Sequence, residues 1–237
     1  MPNFLFLAGP PTGALLWKAV LERVESRGAT ASAIDILTLG EGCESPTDWV
    51  HQLTQRLQAD GPSVLVAHGT AVPLALHAAA AEPPAGLVLT NGPLGPMTPA
   101  MRTMCRSLRM LGPKAALKLL ASPAGLRRTV VNPYVWDYDT VVTICGPLFE
   151  DPRCRALTRG FLGALSEWID TPASTTAPTA HIHGDSDRLL SPLNQSFYGV
   201  ETTVQTIEGG HHYHPLERPW EIADRVIDWA QSTLTTT

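Results

Sequence analysis

The chain has 237 residues, with 17 lysines and arginines, 22 aspartates and glutamates, and 44% hydrophobic residues. This length suits one domain with an insertion, and the modest charge content excludes a disordered chain or a coiled coil. The net charge of -5 argues against general affinity for nucleic acid, which needs a positive surface to displace counterions.

The N-terminal stretch begins with a short apolar run that ends at Gly9 and two prolines, without a positive segment before it. It therefore does not read as a signal peptide, and no apolar run approaches the roughly 18 residues that a membrane span requires. The four cysteines are scattered and form no C-x-x-C pair, which indicates reduced thiols. We expect a cytoplasmic protein.

Short aliphatic runs recur along the chain and predict about six strands. The first four alternate with helical patterns near 13–27, 46–59 and 70–82, and the last stretch, 215–232, has the spacing of an amphipathic helix. Such near-continuous apolar strands are typical of a mostly parallel sheet that helices cover on both faces, which gives an α/β fold. The predicted strands are 4–7, 33–37, 63–66, 87–90, 180–183 and 203–207.

The stretch 92–179 lacks convincing strands and carries helical pieces bounded by prolines. We interpret it as a helical insertion in a core formed by 1–91 and 180–237. Its charge is unusual, because the segment 83–136 holds seven basic residues and no acidic one. The segment thus carries +7 and the remainder of the chain -12.

Three segments carry the chemistry-bearing residues. The stretch 64–71, VLVAHGTA, reads as an apolar strand that runs through a tight turn into a helix, as in a nucleophile elbow. HGDSD follows the fifth predicted strand, and EGGHHYHPLERP follows the sixth. In this order the three segments resemble the α/β-hydrolase superfamily. The resemblance implies an α/β-hydrolase fold over nearly the whole chain, with 92–179 as the helical cap.

Carried over by the resemblance, Asp187 matches the catalytic acid and His211 the catalytic histidine of the family. The elbow motif G-x-S-x-G reads AHGTA here, so Gly69 stands where the family has its serine. One oxyanion donor would be the backbone N–H of Thr70. The other belongs to the residue after Gly9, which is Pro10 and has no N–H.

These two losses disfavour acyl transfer, since removing one oxyanion donor typically costs about 10²–10³ in rate. An Asp/His pair still moves protons near neutral pH. We therefore predict a cofactor-independent enzyme that uses this dyad as a general base for elimination, cyclisation or isomerisation of a small, largely apolar, anionic metabolite, in specialised metabolism of the polyketide type. The alternatives are an ester or thioester hydrolase that uses histidine-activated water, and a non-catalytic ligand-binding pseudoenzyme. An engineered glycine at position 69 is a further interpretation of the elbow.

Other residues have competing interpretations. His68, beside the elbow, is interpreted as a packed residue rather than a catalytic one, and Thr70 as a helix-start residue rather than a displaced nucleophile. His181, His183 and Asp185 spell H-x-H-x-D, which invites comparison with binuclear metal hydrolases. The terminal histidine of that metal motif is absent, so we expect no metal site and interpret Asp185 as a turn residue.

The basic segment includes Arg102, Arg106 and Arg109, which recur at i, i+4 and i+7 of a predicted helix. One interpretation is a solvated face above the core of the cap. The other is a functional positive surface that faces either an anionic substrate in the pocket or an acidic partner such as an acyl carrier protein. The sequence leaves both directions open.

Overall fold

The computed structural model describes residues 2–95, 97–122, 137–150, 152–187, 189 and 202–234. Its centre is one six-stranded sheet in which every neighbouring pair of strands is parallel, in the order β2-β1-β3-β4-β5-β6. This confirms the predicted α/β class. The strands are β1 (Asn3–Ala8), β2 (Thr30–Ile34), β3 (Ser63–His68), β4 (Gly86–Thr90), β5 (Thr179–Gly184) and β6 (Thr202–Ile207).

Ten α-helices are present in the part of the chain that the structure describes, with short 3-10 turns at Ala14–Trp17 and Gly146–Phe149. None of these helices is both long and apolar enough to cross a membrane. The helices are α1 (Lys18–Ser26), α2 (Ile36–Leu39), α3 (Pro46–Asp60), α4 (Ala71–Ala81), α5 (Pro99–Met110), α6 (Pro113–Leu120), α7 (Tyr138–Cys145), α8 (Pro152–Asp170), α9 (His214–Glu217) and α10 (Pro219–Leu234).

The second strand differs from the prediction of 33–37. Strand β2 ends at Ile34 because Asp35 begins a helix, its side chain accepting a hydrogen bond from the Leu37 N–H at 3.1 Å. Aspartate at such an N-cap satisfies a donor that the first helical turn leaves free. Residues 36 and 37, which we expected to belong to the strand, therefore lie in α2.

Helices cover both faces of the sheet, as the near-continuous burial of the strands requires. Helix α1 packs against α10, while α3, α4 and α8 pack together. The crossover from β1 to β2 runs in one direction along the sheet and all later crossovers run in the other, so right-handed connections place these two groups on opposite faces. Residues of β1, β3, β4 and β5 are almost entirely buried, so the core lies between the sheet and these two helical layers.

The stretch between β4 and β5 is helical where the structure describes it, with α5 to α8 in place of strands. Its last helix, α8, packs onto α3 and α4 of the core, and the rings of Trp49 and Phe161 meet edge to face with centroids 5.2 Å apart. Buried contacts of this kind anchor α8 to the helical layer that α3 and α4 form.

The carboxyl ends of all the parallel strands share one edge of the sheet. The loops after β3, β4, β5 and β6 carry Gly69, Asn91, Asp187 and His212, respectively. Open α/β sheets place their ligand sites at this edge, because the loops there converge from several strands.

Candidate active site

A histidine and a carboxylate are paired at the carboxyl edge of the sheet. The His212 Nδ1 atom lies 2.9 Å from Oδ2 of Asp187, whose side chain is fully buried. The second oxygen of Asp187 accepts a hydrogen bond from the Leu189 N–H at 2.8 Å. A carboxylate bonded to Nδ1 holds the proton on that nitrogen, which leaves Nε2 of the imidazole as an acceptor and proton carrier.

The predicted pairing of Asp187 with His211 is wrong by one residue. The His211 Nδ1 atom lies 3.1 Å from Oε2 of Glu217, a residue of the short helix α9. Because the chain turns into α9 directly after these two adjacent histidines, their side chains point to different carboxylates. The spacing of the motif does not determine which of the two histidines points toward the loop that carries Asp187.

The nucleophile position of the elbow is empty. Gly69 has a φ of 60°, in the left-handed region that favours glycine. A Cβ built on Gly69 would lie 3.7 Å from the Nε2 atom of His212, and apart from its two neighbours in the chain no other described residue comes within 4 Å. The Nε2 atom of His212 therefore faces an open position rather than a side chain.

The Thr70 N–H is a backbone donor on the oxyanion side of the cleft. The Thr70 N–H finds no hydrogen-bond acceptor within the described ranges, while the Thr70 hydroxyl donates to the carbonyl oxygen of Pro10 at 2.7 Å. Gly9 lies so close to Thr70 that a Cβ there would collide with its side chain. With proline at position 10, the neighbouring loop offers no N–H at the usual second position.

His68 is fully buried beneath the elbow and packs against the rings of Trp17, His212, Tyr213 and His214. Its Nδ1 atom lies 3.0 Å from the Thr90 hydroxyl, which itself donates to the carbonyl oxygen of Ala67. Nδ1 therefore donates to the Thr90 hydroxyl. Burial, together with the positive charge that His212 and His214 can carry, holds the pKa of His68 well below its ordinary value.

The cleft above Gly69 is narrow and mostly apolar. Its free volume of about 10 Å³ gives room for about one water molecule. Met101 and Met104 of α5 close it from the side of the inserted helices, and their flexible thioether chains adapt readily to a larger ligand. The remaining described residues that line it are Gly9, Pro10, Pro11, Thr12, His68, Thr70, Leu189, His212 and Tyr213.

The predicted arginines lie on another face of the same helix. Arg106 and Arg109 line a separate surface groove of about 480 Å³ with Met110 and Arg159, and none of the predicted arginines is among the described residues of the cleft. Arg102 is exposed and donates to the carbonyl oxygen of Met97 at 3.0 Å. The structure therefore does not bring these three arginines to the cleft. Two other basic residues of the segment, Arg127 and Arg128, lie outside the described residues.

The histidines of the H-x-H-x-D pattern do not assemble a metal centre. No group of three potential ligands that could hold a metal occurs in the described part of the chain. His181 is fully buried, and burial followed by the influence of His183 lowers its pKa to about 3. Asp185 accepts hydrogen bonds from the Gly209 N–H and the Ser186 hydroxyl, so it joins the two loops after β5 and β6.

Two residues of this site were missed from the sequence. The sequence did not distinguish His212 from the adjacent His211, because both histidines fit the family spacing equally well. Asn91 is a buried amide directly after β4, and its side chain contacts both dyad loops. Its position at the carboxyl end of a predicted parallel strand was the signal that could have identified it.

Comparisons with known proteins agree with this fold. A model of the alpha/beta hydrolase family matches residues 4–225. No curated protein sequence matches the chain significantly.

Solved structures share its fold at low sequence identity. The 2-hydroxy-6-oxo-6-phenylhexa-2,4-dienoate hydrolase from Rhodococcus sp. strain RHA1 is 16% identical with a TM-score of 0.74, over 96% of this chain and 89% of that chain. A thermophilic esterase from Thermogutta terrifontis is 17% identical with a TM-score of 0.68, over 98% of this chain and 90% of that one. A thioesterase domain from the curacin biosynthetic pathway is 17% identical with a TM-score of 0.64, over 95% and 91%.

Proposed function

Because the chain belongs to the alpha/beta hydrolase family, we propose that it is a cofactor-independent enzyme in which His212, oriented by Asp187, moves a proton on a small substrate. The reaction class is elimination, cyclisation or isomerisation. One observation carries the proposal: the Nε2 atom of His212 faces the position that the missing side chain of Gly69 leaves open, 3.7 Å from where a Cβ would stand. A reacting C–H or O–H group of a substrate fits that place.

Two features of the cleft oppose the acyl-transfer chemistry of serine hydrolases. Gly69 provides no nucleophile, so an acyl-enzyme cannot form at the elbow. Pro10 removes one of the two backbone donors that stabilise a tetrahedral oxyanion. General-base chemistry requires neither feature, because the imidazole only has to reach the proton it abstracts.

The remaining polar groups suit proton abstraction next to a carbonyl. In that step His212 Nε2 takes the proton from carbon, and the electron pair of the C–H bond moves toward the carbonyl oxygen. The Thr70 N–H, which has no acceptor in the described chain, lines the same cleft and would stabilise that developing charge. Protonated His212 then returns the proton to a leaving group or to another atom of the substrate.

The cleft lining supports a small, largely apolar substrate. Met101 and Met104 separate it from the exposed arginines of α5, so an anionic group on the substrate would extend out of the cleft rather than meet those arginines inside it. We propose that the helices within 92–179 act as the cap that selects the substrate, and that the metabolite belongs to specialised metabolism of the polyketide type.

The proposal is tested with 5-nitrobenzisoxazole, whose isoxazole ring opens at the N–O bond when a base removes the C3–H proton. We expect the wild-type protein to accelerate the ring opening and His212→Gln or Asp187→Asn to lose most of the acceleration. His211→Gln is the matched control, because His211 is bonded to Glu217 instead. Equal activity of His212→Gln and the wild type would refute the proposal. A protein that binds the probe without any His212-dependent turnover would indicate a ligand-binding pseudoenzyme.

A second candidate function is hydrolysis of an ester or thioester by a water molecule that His212 activates. The cleft has room for about one water beside the open elbow position, which favours this alternative. The hydrolase names of the fold relatives are compatible with it. Reaction in ¹⁸O-labelled water separates the two candidates, because hydrolysis places one labelled oxygen in the acid product whereas elimination, cyclisation and isomerisation incorporate none.

The basic groove of Arg106, Arg109, Met110 and Arg159 supports an anionic partner at the outer face of α5. These three arginines form no ion pair with any described carboxylate, and the segment 83–136 contains no acid. Guanidinium groups that converge without a counter-charge favour a carboxylate or phosphate from another molecule. An acyl carrier protein is the partner that we propose here.

Binding of an acidic carrier domain can be measured by titration calorimetry at low and physiological salt. The double variant Arg106→Ala/Arg159→Ala should weaken binding at least about tenfold, since desolvated charge pairs are worth more than exposed ones. Arg153→Ala is the control on α8, the helix that carries Arg159, because Arg153 already pairs with Glu41 at 2.7 Å. Unchanged binding by the double variant would exclude the groove as the docking site.

A further inference from the structure

One buried amide connects the two loops that carry the dyad. Asn91 follows β4 at the carboxyl edge of the sheet, is fully buried, and has a φ of 37°. Asparagine tolerates the left-handed region better than most residues, since its short polar side chain bonds locally. A buried amide must also find partners for its donors and its acceptor, or it destabilises the fold.

Both ends of the Asn91 amide are engaged. Its Nδ2 atom donates toward the carbonyl oxygen of His211 at 2.7 Å, the carbonyl oxygen of His212 at 3.1 Å and the Nδ1 atom of His214 at 2.9 Å. Its Oδ1 atom accepts from the Gly184 N–H at 2.9 Å. These donor and acceptor contacts fix which end of the amide carries the nitrogen.

The partners of Asn91 belong to two different loops. Gly184 is the last residue of β5, and the turn that follows it leads to Asp187. The carbonyl groups of 211 and 212 flank the backbone from which the His212 side chain extends. Direct contact between the loops is also close, because the Ser186 N–H donates to the Gly210 carbonyl at 3.0 Å.

We infer that Asn91 is a positioning residue, whose amide holds the acid loop and the histidine loop at the separation that the bond between Asp187 and His212 requires. It does not line the cleft among the described residues. It acts instead through the backbone on either side of the dyad. Only the catalytic consequence of this inference rests on the proposed function, because the geometric part concerns the hydrogen bond between Asp187 and His212 alone.

The role that we infer requires an amide, because the side chain of Asn91 both donates and accepts hydrogen bonds. In Asn91→Asp the volume is kept, but a carboxylate oxygen replaces the two N–H donors and faces the carbonyl oxygens of His211 and His212. Repulsion between these oxygens should separate the loops and lengthen the bond in the dyad. The variant thus perturbs the dyad without changing any residue that contacts a substrate.

The experiment measures the His212 Nδ1 proton by NMR in protein labelled with ¹⁵N-histidine, with His212→Gln used to assign the signal. In the wild type we expect a low-field resonance that exchanges slowly with water. Asn91→Asp should accelerate that exchange by about tenfold or more, as expected when a buried network loses its donors. Asn91→Gly, which suits the positive φ, provides a second variant if Asn91→Asp does not fold.

Thr90→Val is the matched control, because Thr90 is equally buried at the same strand end but bonds His68 instead of the dyad loops. Its His212 signal should exchange at the wild-type rate. An unchanged signal in both Asn91 variants overturns the inference, and so does equal acceleration in Thr90→Val, which would mean general loosening. Absence of the wild-type signal also overturns it. If the signal behaves as expected but no base-dependent turnover is found, the proposed function fails while the positioning role stands.

Discussion

The open elbow position predicts that a nucleophile can be built back with one substitution, Gly69→Ser. Apart from the two adjacent residues of the chain, a Cβ at that position has one described neighbour within 4 Å, the His212 Nε2 atom at 3.7 Å. One further bond places the introduced hydroxyl within the reach of a base, about 2.6–3.2 Å. The result should be a hydroxyl activated by His212 and Asp187, with the Thr70 N–H beside it.

The cost of this substitution comes from the backbone. A side chain at a φ of 60° is strained by about 1–2 kcal/mol relative to glycine. For a domain of this size, each kcal/mol lowers the melting temperature by about 2–4 °C, so we expect a decrease of about 2–8 °C. Gly69→Ala carries the same strain without the hydroxyl and is the control for stability and reactivity.

The assay is covalent labelling by methanesulfonyl fluoride, a reagent small enough for a narrow cleft, with the adduct located by mass spectrometry. Gly69→Ser should be labelled at position 69, whereas the wild type and Gly69→Ala should not. Steady ester turnover should remain slow, because the absent second oxyanion donor costs about 10²–10³ in rate. The reasoning is refuted if folded Gly69→Ser resists labelling, or if adding His212→Gln leaves the labelling rate unchanged.

The remaining predictions concern stability. Burial lowers the pKa of His181 and of His214 from 6.5 to about 3. As the pH falls, the unfolded chain therefore takes up protons at these two histidines before the folded protein does. The free energy of unfolding should decrease between about pH 6.5 and pH 3, by up to about 1.4 kcal/mol per pH unit for each histidine. Urea titrations across this range check the slope, and a flat profile would contradict it. The Ser45 hydroxyl caps α3 by accepting a hydrogen bond from the third helical N–H, that of Asp48, at 3.3 Å. Ser45→Ala removes this cap and should lower the free energy of unfolding by about 1 kcal/mol in the same urea titration. Thr70→Val leaves the carbonyl of Pro10 without its donor and should cost about 1–3 kcal/mol, while an unchanged denaturation midpoint would show that the bond is dispensable.

The sequence by itself determined the architecture of this protein. Apolar runs of strand length, separated by helical periodicity, allow only a sheet covered on both faces, and five of the six strands were placed within two residues of their observed ends. The exception was β2, where the N-cap formed by Asp35 redirected an aliphatic run into a helix. The sequence also showed that position 69 has no serine and that Pro10 has no N–H, because each of these is a property of the residue type.

The direction of side chains was decided only by the tertiary structure. Two adjacent histidines fit one motif, and the path of the chain into α9 decided that His212, rather than His211, meets Asp187. Helix α5 presents Met101 and Met104 to the cleft and Arg106 and Arg109 to a separate groove. A helical period predicts these two faces but does not assign either of them to the cleft. Asn91 acquires its partners from loops that are about 90 to 120 residues away in sequence. Contacts of this range depend on how the parallel strands align, so no local pattern encodes them.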